Sequence, residues 1–328
     1  MTATVSWLAG IIAVLVLVQP RAADAQAMQR LPRVGILAED SGGPAPTRER
    51  FEAGLREHGY VHGTNVVLER RFAEGRLERL PELAGELVRL GVDVIVAASE
   101  SGAVAARGAT SVIPIVMILG VDPVAQGLAQ ELGRPGGNVT GLTVDPGAEI
   151  LAKRLQLLRQ IVPGAQTIAV LTEPLASATP RLRSVEEAAA ASGVSLVRFD
   201  VRRRDELPRA FTAMSKARAE ALLVSGASVL YFAKRDIADL ALKHRLPAIY
   251  PLRDYTEAGG LISYGVDVLD LFRRGGGYVA RILKGARPQD LPIEQPTKFE
   301  LSINSKTAQA LGVTIPPSLL LQANTVIE

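Results

Sequence analysis

Short apolar, β-branched runs alternate with helix-patterned segments from Arg33 onward, and this alternation restricts the fold more tightly than any other property of the chain. RVGILA (Arg33–Ala38), VDVIVAAS (Val92–Ser99) and IPIVMIL (Ile113–Leu119) are continuous apolar runs, which marks strands buried on both faces. Between them Thr47 can cap a helix that carries Phe51, Leu55 and His58 and is stopped by Gly59. VVLERRFA reads as a strand, and Leu80, Leu83, Leu87 and Leu90 form the single stripe of an amphipathic helix. SGAVAARGAT is a helix of small residues. A strand and a helix recurring roughly every 25 residues imply βαβ units and a parallel sheet.

RPGGNVTGLT interrupts the rhythm, and its glycines place an expected first crossing between lobes near Gly136–Gly141. The alternation then restarts. Leu151–Ile161 is helical, with Leu151, Leu155 and Leu158 on one side, TIAVLT (Thr167–Thr172) is a strand, and Pro180–Ser192 is a helix. VSLVRFD, ALLVSG and PAIYP follow as strands, separated by helices over Glu206–Arg218 and Val229–His244. The expected architecture is two α/β lobes with parallel sheets around a ligand cleft.

Glu257–Leu311 departs from this order. EAGGLISYGVD reads as a strand and a corner, LDLFRRGGGYVARILKG as a helix, and QPTKFELSINSKTAQALG as a strand and a short helix. The chain is expected to leave the second lobe through Gly259–Asp267 and pack Val268–Lys284 on the N-terminal lobe. It then returns through Pro292–Lys298 and finishes the second lobe with Phe299–Leu311. Gly275, Gly276 and Gly277 cost a helix about 1 kcal/mol each relative to Ala, so the triplet implies close packing or a thinned helix. The boundaries are then 31–140 plus 266–292 for the N-terminal lobe and 141–265 plus 296–328 for the C-terminal lobe.

Residues 1–25 read as a signal peptide. Trp7 to Val18 is apolar but too short to span a hydrocarbon core of about 30 Å. It is followed by Ala23-Asp24-Ala25, a small-x-small site of the kind cut after export, which places the mature protein in the periplasm. The remaining sequence has no other long apolar run.

Composition removes several chemistries. The 328 residues include no cysteine, so disulfides, thiolate metal sites and a Cys nucleophile are excluded. Aromatics make up 4% and the net charge is only +3, with basic residues scattered among acids, so nucleic acid is not an expected partner. His58, His62 and His244 lie at no metal-ligand spacing. The chain holds no GxSxG elbow, no phosphate loop and no GxGxxG after a strand, so neither an enzyme nor a cofactor is indicated.

In parallel α/β sheets ligands sit outside the carboxyl ends of strands, so the residues after each strand are the candidates. They are Ser41 after the first strand, Ser99, Glu100 and Ser101 after the third, and Asp122 after the fourth. In the second lobe they are Glu173, Ser225, Ser228, Tyr264 and Asp267. Each has a structural alternative. Ser99 and Ser101 can cap a helix or hold a ligand carboxylate at its N-terminus, and Asp122 before Pro123 opens a turn. Ser225 and Ser228 can also be caps, Tyr264 can be a core aromatic, and Asp267 is first an N-cap.

With these motifs assembled, the chain resembles the ABC-transporter substrate-binding proteins of the tryptophan/tyrosine type. The resemblance is carried by REHGYVHGTNVVLERRFAEG, RLPELAGELVRLGVDVIVA, ATSVIPIVMILGVDPVAQGL, LGRPGGNVTGLT, AKRLQLLRQIVPGA, LPAIYPLRDYTEAGGLISYG and ILKGARPQDLPIEQPTKFELSINSKTAQALGVTIPPSLL. It implies a type I periplasmic-binding fold, with two Rossmann-like lobes and a three-crossing hinge. It also implies a monomer that captures a small organic acid or amino acid and delivers it to a permease and an ATPase. The family's cleft positions fall on Ser99 to Ser101, Asp122, Thr172-Glu173, Ser225 to Ser228 and Tyr264 to Asp267. Ser-Gly-Ala-Ser stands where amino-acid binders often carry an Asp or Asn turn, which leaves an amine-free carboxylate as open as an amino acid. A sensory module presenting its ligand to a membrane receptor is the alternative role.

Overall fold

The computed structural model describes residues 30–39, 45–144, 149–174, 185–187, 189–190 and 193–328. The expected signal peptide, Ser41 and most of the helix expected over Pro180–Ser192 lie outside them. Among the described residues no helix is long and apolar enough to cross a membrane.

The strands of the first lobe are β1 (Arg33–Ala38), β2 (Val67–Phe72), β3 (Val94–Ala97), β4 (Ile115–Gly120) and β5 (Val139–Thr143). They form one parallel sheet in the order β2-β1-β3-β4-β5. Helices α1 (Ala45–Glu57), α2 (Leu80–Arg89) and α3 (Glu100–Ala109) connect them. Apolar clusters cover both faces, one built on Leu83, Leu87, Ile95 and Met117, the other on Val34, Phe51, Val96 and Ile118. This is the two-sided burial that the unbroken apolar runs demand.

Val139–Thr143 is a strand of this sheet, so the chain leaves the lobe after Thr143 and not at Gly136–Gly141. Gly141 has φ +133°, and a Cβ there would stand 1.9 Å from the Met117 carbonyl oxygen. The register of β4 against β5 shifts at this point. The glycine that reads as linker punctuation is a strand residue at a bulge, where only a missing side chain lets the two backbones meet.

The second lobe holds β6 (Thr167–Thr172), β7 (Ser195–Asp200), β8 (Ala221–Val224), β9 (Ala248–Tyr250), β10 (Ile262–Val266), β11 (Phe299–Asn304) and β12 (Thr325–Ile327). Their order is β12-β11-β10-β9-β8-β6-β7. Helix α4 (Glu149–Ile161) packs on β8, β9 and β10. The remaining helices named here are α5 (Leu207–Lys216), α6 (Ser228–Phe232), α7 (Lys234–Lys243) and α8 (Arg253–Glu257). The single helix expected over Val229–His244 is two, because Ala233 (φ −97°, ψ 14°) breaks the run between α6 and α7. The sheet is also not wholly parallel: β11 runs antiparallel to β10. The chain leaves at the carboxyl end of β10 and re-enters beside that same end, which forces the reversal.

Between these two strands lies α9 (Val268–Leu283), packed on α1 of the first lobe. The glycines are spent on that contact. A Cβ at Gly276 would come within 2.4 Å of the Phe51 carbonyl oxygen, and one at Gly54 within 1.9 Å of the Arg273 carbonyl oxygen.

The crossings are tied together. The Asp267 N–H donates to the Lys298 carbonyl at 3.0 Å, which sets the outgoing and returning segments side by side. The Asp270 carboxylate is 7% exposed and accepts from Lys298 Nζ (2.9 Å) and Arg273 Nη2 (3.1 Å). Burial opposes its ionisation, but these bonds outweigh burial and hold the carboxyl below its usual range. The returning segment also zips onto β5: Glu294 N–H donates to the Gly141 carbonyl (2.9 Å) and Thr143 N–H to the Glu294 carbonyl (3.0 Å). Glu300 on β11, opposite Gly265, is the strained member. Burial, then the nearby Asp267, pushes its carboxyl up to about 7, against the partial relief of Arg253.

Two outcomes follow from this packing. Gly54→Ala and Gly276→Ala should each lower stability by about 1–3 kcal/mol or more through backbone overpacking. Gly85→Ala meets only the flexible Arg89 side chain and should raise stability by up to about 1 kcal/mol. Urea midpoints read both. Because the folded-state value for Glu300 lies above the ordinary 4.5, its contribution is fully present below that pH and is lost as pH rises towards 7. Glu300→Gln should therefore exceed the parent in stability at pH 8, and the advantage should vanish near pH 4.5. Thermal midpoints across that window check it.

Candidate ligand-binding site

Both crossings out of a sheet start at the carboxyl end of a strand, β5 in the first lobe and β10 in the second. Val266 and Phe299, from the second sheet, pack in the same apolar cluster as Leu142, Val144 and Leu271 of the first lobe. The carboxyl edges of both sheets therefore open beside the joint, and the loops there are where a small molecule would meet both lobes.

On the first lobe, Ser99 is the N-cap of α3, its Oγ accepting from the Gly102 N–H at 3.1 Å. The Glu100 carboxylate accepts from the N–H groups of Val121 (2.6 Å) and Asp122 (2.7 Å), fastening the start of α3 to the turn after β4. Asp122 closes that turn by accepting from the Ala125 N–H at 3.0 Å. Ser101 is exposed on the first turn of α3. A cavity of about 170 Å³ lies at this edge, lined by the 121–124 turn, Leu132, Thr143 and Gln295. The Thr143 Oγ1 is enclosed and has no hydrogen-bond partner. Sequence spacing thus brings Ser99, Glu100 and Asp122 together, but it hands most of their hydrogen-bonding capacity to backbone.

On the second lobe, the Ser225 hydroxyl after β8 donates to Thr172 Oγ1 at the end of β6 (3.1 Å), and Glu173 follows Thr172 half-buried. Ser228 begins α6. Tyr264 lies inside β10 and not after it, and its ring packs against the core of the second lobe while stacking on Phe299, with centroids 6.0 Å apart and 19° between planes. Asp267 is the N-cap of α9, accepting from the Asp270 N–H at 2.9 Å. Its role as a cap is the one the geometry displays.

One residue escapes the loop-by-loop reading altogether. Arg154 on α4 is 6% exposed. Its Nε donates to the Tyr264 carbonyl (2.7 Å) and its Nη2 to the Pro251 carbonyl (3.3 Å). Burial pulls its guanidinium down to about 10. The signal was present in the sequence, because Arg154 falls three residues after Leu151 and four before Leu158, inside the apolar stripe of the helix. Among the described residues no cluster of His, Asp and Glu is arranged to hold a metal ion. The arrangement offers caps, hydroxyls, one aromatic pair and one buried cation, which suits holding a polar aromatic or acidic solute.

Comparison with known proteins places this geometry. A curated tyrosine-binding protein of Clostridioides difficile (strain R20291) is 26% identical over 271 residues, 81% of this chain and 76% of its own. The crystal structure of an ABC domain from Streptococcus pneumoniae in complex with L-Trp is 26% identical. It has a TM-score of 0.80 and covers 90% of this chain and 99% of its own. A periplasmic binding protein of Burkholderia mallei, 13% identical with a TM-score of 0.56 over 79% of each chain, shares the fold alone. The profile of the ABC transporter substrate binding proteins matches residues 41–327. The chain belongs to that family of binding proteins, and its two mostly parallel lobes are the type I periplasmic-binding fold.

Proposed function

We propose that the protein is the extracytoplasmic solute-binding component of an ABC importer, that it captures an aromatic amino acid or a related small carboxylic acid, and that it closes on it at the three crossings. The observation that carries the reading is the Tyr264–Phe299 stack, whose Phe299 packs in the apolar cluster that joins the second sheet to the first lobe. An aromatic solute would extend that stack, as the relatives named for tyrosine and complexed with L-Trp suggest. Polar loops of both lobes would contact its other end. The closed form is then favoured by the ligand's greater affinity for it. As a periplasmic monomer, it would present that form to a permease and an ATPase.

The test is a thermal-shift panel of L-tyrosine, L-tryptophan, L-phenylalanine and their amine-free acids. A true ligand at a hundred times its Kd should add about 2.7 kcal/mol of stability. No shift with any member of the panel overturns the aromatic reading. Tyr264→Ala should weaken binding by about tenfold or more while leaving the ligand-free midpoint within a few degrees. An equal loss of ligand-free stability would assign Tyr264 to the core. Asp122→Asn keeps the acceptor that closes its turn and removes only the charge. It should lower affinity for the amino acids and spare the amine-free acids if Asp122 meets an ammonium, and calorimetry reads the difference.

A further inference from the structure

The second lobe carries a positive charge that its own residues leave unmatched. Arg154 is buried, and among the described residues no carboxylate lies within salt-bridge distance of it. A guanidinium has five N–H donors in a fixed fork. Here two hydrogen bonds are made, both to backbone carbonyls, Tyr264 through Nε and Pro251 through Nη2. Nη1 makes none to the described residues.

A second group beside it is also unmatched. Tyr255 is 0% exposed, and its hydroxyl is enclosed without a hydrogen-bond partner. Arg154 and Tyr255 are close enough to act on each other's ionisation. Burial pushes the phenol upward, so it stays a neutral donor. The neighbourhood thus holds surplus donors, and the Asp254 carboxylate that acts on Tyr255 already accepts from the Tyr231 hydroxyl at 2.6 Å. Leaving a charge in that state is costly, and a bound anion removes the cost. The position suits a ligand, since Pro251 follows the carboxyl end of β9 and Tyr264 lies beside it in the middle of β10.

We infer that Arg154 is the anion anchor of the second lobe, and that the carboxylate of the captured solute docks on its unused guanidinium N–H groups. The inference rests on the solute-binding reading above and adds an orientation to it. The acid end of the solute faces the second lobe, and an ammonium, where there is one, faces the Glu100 and Asp122 carboxylates of the first. A carboxylate is thereby a requirement for recognition, and an amine is not.

Calorimetric titration with three ligand types tests this: L-tyrosine and L-tryptophan, the carboxylate-free amines tyramine and tryptamine, and the amine-free acids 3-(4-hydroxyphenyl)propanoate and indole-3-propanoate. The parent protein should prefer the carboxylate-bearing compounds over the amines by about a hundredfold or more. Arg154→Gln should erase most of that preference. A purely structural arginine would weaken all ligands alike and leave the preference intact, and that result overturns the inference while the solute-binding reading stands. Binding of none of the six compounds by the parent protein would bring down the reading itself. Where Arg154→Gln does not fold, Tyr255→Phe decides, because it keeps the buried ring and removes a hydroxyl that has no partner. A loss of about tenfold for the acids alone supports the anchor, and unchanged acid affinity overturns it.

Discussion

The structure depends on one short pairing of backbone, the Asp267 N–H held on the Lys298 carbonyl where the outgoing and returning segments meet. Around it the buried Asp270 carboxylate gathers Lys298 and Arg273. Because that carboxylate is paired, its burial is tolerable; removing Lys298 would leave it less compensated, and the breaking of such a pair is the expensive event. The antiparallel match of β10 with β11 follows from the same pairing, as does the bridge of Leu142 to Glu294. The Glu294 carboxylate meets Arg274 and stands near Arg281. The joint is thus a small ionic cluster flanked by strand ends, and the two apolar cores are built outward from it.

Much of the fold could be read from residue pattern alone, because its central strands, such as β3, β4 and β8, are buried on both faces and so appear as unbroken apolar runs. The same logic explains the failures. Val139–Thr143 is short and carries a glycine at its centre, so it looks like punctuation, although the glycine is there to let β5 meet β4 at a bulge. The direction of β11 is not encoded in its own residues at all; it is set by where the chain re-enters the lobe. The break at Ala233 leaves no mark in a sequence whose apolar spacing runs on through it. The glycine triplet left close packing or a thinned helix open, and Gly276 makes the close contact.

The candidate site was legible in position and less so in role. Counting residues past each strand finds Ser99, Glu100 and Asp122, but a side chain that caps a helix or closes a turn serves the backbone first, as Ser99 and Asp267 do. Ser41 lies outside the described residues. What spacing could not find is a polar residue that enters from a helix on the far side of the sheet. Arg154 was visible only as a violation, a cation inside an apolar stripe, and violations of a local rule are where function is to be sought.

The contact between Gly54 and Gly276 has a mechanical side. Two helices that touch through their backbones have no side chains to slide on, so α9 is keyed to α1 and must travel with the first lobe as one stiff piece. Asp267, the extended N-cap between β10 and α9, joins that piece to the second sheet.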